Sequence, residues 1–89
     1  MNKEEPYRIE FPCAYPIKIV GVYHNEFELV VRQLTEKHAP GFSEDDISVR
    51  MSSKGNYCSV TITITATGEA QLKRLHQELM GHERVKMVL

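Results

Sequence analysis

An excess of either charge is what this chain most obviously lacks: its 11 Lys and Arg balance 12 Asp and Glu, a formal net charge of −1. Attraction to a phosphate backbone normally takes clustered Lys and Arg, so nucleic acid is not an expected partner. Long apolar runs are missing as well. No stretch approaches the ~18 residues of a bilayer span, and residues 1–12 mix charge with proline and hold no apolar segment of the secretion-signal kind. The expected location is therefore the cytoplasm, with no membrane partner. Only two cysteines occur, Cys13 and Cys58, and they form no Cys-x-x-Cys, which argues against a disulfide framework or a zinc site. The four histidines, His24, His38, His76 and His82, contain no His-x-x-x-His pair, so no metal and no cofactor is expected. Nor does any Ser or Cys stand at a spacing that predicts a neighbouring base, which removes the usual sign of nucleophilic catalysis. The chain is expected not to be an enzyme.

What is present is an ordinary globular composition, 42% hydrophobic and 26% charged over 89 residues. A chain of this length makes one domain and buries only about 60–70% of the surface it exposes when unfolded. The core is thin, and the domain is expected to fold alone or with modest help from self-association. No repeats, linkers or low-complexity tracts divide it. The expected organisation is an N-terminal extension over residues 1–12 and a single domain over residues 13–89.

The most informative stretch runs from Ser52 to Ala66. Cys58, Val60, Ile62, Ile64 and Ala66 alternate with Tyr57, Ser59, Thr61, Thr63 and Thr65, the period of a half-buried strand. Lys54-Gly55-Asn56 before it reads as a hairpin turn, with Gly55 and Asn56 suited to positive φ. Ile47, Val49 and Met51 alternate upstream as a preceding strand. Tyr15 to Tyr23 makes the first strand, with Ile17 and Ile19 on one face and Lys18, Val20 and Val22 on the other. Val85 and Met87 alternate with Lys86 and Val88 in the last. Helical spacing of Phe27, Val30, Val31 and Leu34 follows Asn25, a candidate cap with Glu28 three residues on. His38-Ala39-Pro40-Gly41 stops that helix. A second helix opens after Thr67, sets Leu72, Leu75, His76 and Leu79 on one face, and ends before Gly81.

The order β-α-β-β-α-β predicts an α+β ferredoxin-like sandwich, a four-stranded antiparallel sheet with two helices on one face and the first and third strands in the middle. The inward set is then Ile17, Ile19, Val49, Met51, Val60, Ile62, Ile64, Val85 and Met87. No element covers the opposite face. It would carry Lys18, Val20, Val22, Arg50, Tyr57, the threonines, Lys86 and Val88, a mixture too apolar for a purely solvated surface and too polar for a second core. This face is read as a docking surface for another protein or for a second copy, with Lys18, Val20, Val22, Tyr57 and Val88 as its residues; a solvated threonine-rich face is the plain alternative.

A second candidate lies at the hairpin. Ser52, Ser53, Lys54, Gly55 and Asn56 combine hydroxyls, turn amides and an ammonium suited to a small anionic metabolite. The Gly-x-x-x-x-Gly-Lys spacing of a phosphate loop is absent, and plain turn geometry explains the same residues. His24, in the turn from the first strand to the first helix, is the one histidine placed where this topology often builds sites. His38 at a helix end and His76 beside an apolar face are read as structural, and Glu44-Asp45-Asp46 as a solvated loop.

The residues Glu10-Phe11-Pro12, Gly21, His38-Ala39-Pro40-Gly41, Ser52-Ser53-Lys54-Gly55-Asn56-Tyr57, Ser59-Val60 and Met87-Val88-Leu89 resemble the YbeD-like family of small bacterial proteins over nearly the whole chain. That resemblance implies an ACT-like fold and a regulatory role, and it supplies no catalytic or binding residue. ACT modules place a glycine at the turn into the first helix. Here Tyr23-His24-Asn25-Glu26 occupy that turn and Gly21 comes earlier. Other relatives in topology are set aside on residues too: the loop after the first strand lacks the arginine of acyl-phosphate hydrolysis, and a single aromatic, Tyr57, stands where RNA-recognition modules pair aromatics.

Overall fold

A computed structural model describes residues 10–89; of the N-terminal extension expected over residues 1–12, residues 1–9 lie outside the described residues. The elements are β1 (Cys13–Val22), α1 (Phe27–His38), a 3-10 turn over Glu44–Asp46, β2 (Ile47–Met51), β3 (Tyr57–Ala66), α2 (Glu69–Met80) and β4 (Val85–Val88). All four strands pair antiparallel in the order β2-β3-β1-β4. The ferredoxin-like arrangement read from the sequence is the one found.

β1 and β3 form the spine. Their ten residues each pair without interruption, from Cys13 opposite Ala66 to Val22 opposite Tyr57. Residues directly opposite one another in an antiparallel pair point to the same face, so Ile17, Ile19, Cys58, Val60, Ile62 and Ile64 make one continuous apolar layer, none more than 4% exposed. Onto it α1 presses Phe27 and Val31, and α2 presses Leu75 and Leu79, all fully or almost fully buried. Gly21 makes the tight start of α1 possible. A Cβ there would lie 2.3 Å from the Arg84 carbonyl oxygen and 2.5 Å from the Phe27 ring, so only glycine lets that ring lie on the strand.

The helix ends are built differently from the sequence reading. Asn25 does not cap α1. The boundary residue is Glu26, whose N–H donates to His24 Nδ1 at 3.2 Å, while the His24 carbonyl accepts from the Phe27 N–H at 2.9 Å. At the other end the Ala39 N–H donates to the Thr35 carbonyl, and Gly41 takes a φ of +101° after Pro40, which ends the helix as expected. Gly68, not Thr67, borders α2; the Thr67 N–H donates to Gln71 Oε1 at 2.8 Å instead. Gln71 Nε2 donates to the His38 carbonyl at 3.0 Å, tying both helices together from a buried position. His76, expected on the apolar face of α2, is exposed; Gln71 takes the buried place one turn earlier.

Two corrections concern the edges. Val49 and Met51 do lie on the helix side, opposite Val60 and Cys58, yet they are 45% and 44% exposed because the helices stop short of β2. In β4 the pairing slips: Val88 lies opposite Ile19 and Val85 opposite Gly21, but Met87 lies opposite Val20. One extra residue, a β-bulge, therefore reverses the faces. Val88, expected on the open face, packs against the core, and Met87, expected inward, is 48% exposed on the open side.

Candidate interaction face

The uncovered side of the sheet is fixed by the same registers that build the core. Its rows run Val22 beside Tyr57, then Met87, Val20, Ser59 and Arg50, then Lys18, Thr61 and Ser48. Pro16 beside Thr63 and Ala14 beside Thr65 continue it to the far end. The face is thus divided. The apolar side chains Val20, Val22, Tyr57 and Met87 gather at the end near the β2–β3 hairpin, while small and hydroxylated residues occupy the other. Tyr57 is 50% exposed, and Val20 and Val22 are half-buried.

Lys18 and Arg50 flank the apolar end. Neither makes an ion pair among the described residues, and no acidic residue stands among the paired residues of this face. Between them lies a shallow hollow of about 210 Å³, with Val20, Tyr57 and Ser59 in its lining. Such a surface offers apolar area with two cations at its rim. Of the residues expected here, Lys18, Val20, Val22 and Tyr57 share the face and Val88 does not. Met87 takes its place, and nothing in the alternation of Val85 to Val88 signals the bulge that puts it there.

The hairpin residues Ser52 to Asn56 are all exposed, and some of their polar groups bond within the hairpin or to the neighbouring strand. Gly55 adopts a φ of +74°, while Asn56 does not share the positive φ expected of it. The Ser52 N–H donates to the Tyr57 carbonyl at 2.8 Å, and Ser52 Oγ accepts from the Tyr57 N–H at 3.2 Å. The Gly55 N–H donates to the Ser52 carbonyl at 3.0 Å. Ser53 and Lys54 stand exposed beside them. One bond joins the two expected ligand regions: the Tyr23 N–H donates to the Asn56 carbonyl at 2.9 Å, which sets the His24 turn against the hairpin at one end of the sheet. The sequence gives no hint of that bond because 33 positions separate its partners.

Elsewhere the charged groups serve the helix layer. His38 Nε2 donates to Glu78 Oε1 and Lys37 Nζ donates to Glu78 Oε2 at 3.1 Å, joining α1 to α2. These bonds, that from His38 first, hold the Glu78 carboxyl below the usual glutamate range. Arg32 donates to Glu44 and, at 3.3 Å, to Glu28; Glu44, the stronger influence, and Glu28 raise its already high pKa. Burial pushes the Cys58 thiol up, and the Glu28 charge adds to it, so this cysteine is a poor nucleophile.

Comparison with known proteins agrees with this description. A family model described as "Protein of unknown function (DUF493)" matches residues 7–89. A UPF0250 protein of Chromobacterium violaceum is 42% identical over 89 residues, the whole of both chains. Another from Hahella chejuensis is 41% identical over 88 residues, covering 99% of this chain and 96% of that one. Neither name states an enzymatic activity. Among solved structures, the solution structure of HP0495 from Helicobacter pylori superposes with a TM-score of 0.72 at 14% identity, covering 99% of this chain and 91% of that one. The ACT domain from the GTP pyrophosphokinase of Chlorobium tepidum gives 0.60 at 20% identity, covering 86% and 97%. Both show a common fold, and no described helix is long and apolar enough to cross a membrane. The match over residues 7–89, together with full-length relatives at about 40% identity, makes this chain a member of the DUF493 family, with the YbeD-like signature and, over the described residues, an ACT-like fold.

Proposed function

We propose that this chain is a cytoplasmic, non-enzymatic regulatory or interaction module that docks a protein partner on the open face of its sheet. The observation that supports this reading is the gathering of Val20, Val22, Tyr57 and Met87 at one end of an uncovered face, rimmed by Lys18 and Arg50. An apolar group of this kind costs free energy when left in water, and a partner surface removes it. Charged substitution at Val20 or Val22 is expected to abolish partner capture while the circular dichroism spectrum stays that of the folded domain. Recovery of the same proteins by Val20→Asp and by the unaltered chain would place the contact elsewhere.

A second reading has its own support in the bond from Tyr23 to Asn56, which sets His24 against the Ser52–Asn56 hairpin. There the module senses a small anionic metabolite, and Lys54 supplies the charge. Ligand that binds only the folded chain raises the melting temperature by mass action. A thermal-shift screen against amino acids and nucleotides tests it, with Lys54→Ala as the control that removes any shift.

A further inference from the structure

Charge is not spread evenly over this fold. Strands β1 to β4 hold three charged residues, Lys18, Arg50 and Lys86, and all three are cationic. Every acidic residue of the described chain lies outside the strands, in the helices, the Glu44–Asp46 turn or the connecting segments. Acids and bases meet in the helix layer and the turn beside it, where Arg32 pairs with Glu28 and Glu44, and Lys37 with Glu78. Lys18 and Arg50, both exposed on the open face, have no such partner among the described residues. A chain of net charge −1 thus presents a locally positive sheet.

The strand registers set the spacing of these two cations. Arg50 shares a row with Ser59 and Val20, and Lys18 stands in the next row, beside Thr61. They are two strands and two residues apart, which at ordinary sheet spacing puts their Cα atoms about 12 Å from each other. The hollow lined by Val20, Tyr57 and Ser59 lies between them. Arg50 offers a planar fork that fits a carboxylate, and Lys18 offers a mobile point charge. Tyr, Met and Arg are the side chains enriched where proteins touch, and Tyr57, Met87 and Arg50 stand on this one face. Two cations beside an apolar patch do not form the row of charges that follows a phosphate backbone. A second copy set face to face would bring no acid to either cation and would oppose like charges.

We propose that the partner of this face is a different protein, whose contact surface sets an apolar side chain between two carboxylates. The apolar group enters the hollow against Val20 and Tyr57, and the carboxylates, on opposite sides of it, meet Lys18 and Arg50. This proposal rests on the open-face reading given above and adds to it the chemistry of the partner. Apolar burial supplies the larger share of the binding free energy. The two cations speed the encounter, fix the orientation and reject basic surfaces.

Selection of random short peptides, displayed on phage, against the immobilised full chain tests the proposal. Binders that Val20→Asp releases are kept, and their affinities are measured with synthetic copies. The retained peptides should carry Asp or Glu on both sides of Leu, Ile, Met or Phe. The double variant Lys18→Glu, Arg50→Glu should bind them at least about tenfold more weakly, while Lys73→Glu with Arg74→Glu, the same change of charge on α2, should leave binding unchanged. Circular dichroism confirms that all three variants are folded. Raising the salt from about 0.05 M to about 0.5 M should weaken binding to the unaltered chain. Retained peptides that are basic or uncharged, or that the double variant binds equally well, keep the docking face and overturn the acidic partner. A single-stranded oligothymidylate that binds more tightly than the peptides, and is lost in the double variant, overturns it too by assigning the cations to phosphate. A selection that yields no peptide sensitive to Val20→Asp overturns this proposal and the open-face reading together.

Discussion

The centre of the sheet and its two edges obey the same alternation but differ in what surrounds it. In β3 every second residue from Cys58 to Ala66 is buried, and in β1 Ile17, Ile19 and Gly21 are, because ten consecutive pairs hold the register and both helices lie above. In β2 the alternation is equally regular, yet its helix-side residues meet water. In β4 a bulge shifts the alternation partway along. Period-two patterning thus reports which side chains share a face; whether that face is covered depends on where the helices end, and its continuity depends on the pairing.

The largest expected effect lies at the centre. Gly21→Val should destabilise the fold by about 3 kcal/mol or more, because the added atoms meet a backbone carbonyl as well as the Phe27 ring and neither can yield cheaply. The urea midpoint reads this directly. A midpoint near that of the unaltered chain would mean that α1 can lift from β1 at little cost, and the centre would then resemble an edge.

The next effect sharpens the contrast within one face. Ile62 and Val49 both point to the helix side, but Ile62 is fully buried and Val49 is not. Ile62→Ala should cost about 2–5 kcal/mol, and Val49→Ala less than about 0.5 kcal/mol when measured on dilute protein. Comparable costs would show that the helices cover β2 after all. The bulge can be tested in the same manner. Val88→Asp buries a charge beside Ile19 and should destabilise by about 2 kcal/mol or more, whereas Met87→Asp, on the open side, should change stability by about 0.5 kcal/mol at most. The reverse ranking would restore an unbroken strand.

These contrasts also mark what the sequence made legible. The element order, the central pair and the inward set of β1 and β3 follow from hydrophobic period alone, since long uninterrupted strands leave no other way to bury Ile17, Ile19, Val60, Ile62 and Ile64. Position of the helices over the sheet is a tertiary matter, and Val49 and Met51 look no different from core residues until it is known. The bulge at Lys86 is a feature of pairing that hydrophobic period does not record: Met87 lies opposite Val20 and Val85 opposite Gly21, so β4 has one residue more than β1 at that step. Of the open face, Lys18, Val20, Val22 and Tyr57 were readable, whereas Met87 and the link between Tyr23 and Asn56 were not. Capping was the weakest guide. Asn25 and Thr67 have the right chemistry, but the His24 ring and the Gln71 side chain satisfy the backbone groups there.

The smallest effect concerns the layer that keeps the centre dry. α1 and α2 stay side by side over β1 and β3 partly through Glu78, which accepts from His38 and Lys37 at one end of the pair. Its carboxyl titrates below the usual glutamate range when folded, so the folded state favours the ionised form. That contribution is fully present above the ordinary glutamate pKa of about 4.3 and is lost as pH falls through the lowered folded value. The stability difference between the unaltered chain and Glu78→Gln should therefore be present at about pH 5 and shrink toward pH 3. Equilibrium urea unfolding at steps across that interval supplies the curve. A difference that persists at pH 3 would assign Glu78 to packing, and the helix layer would then owe its place over the central strands to Gln71 and the apolar contacts alone.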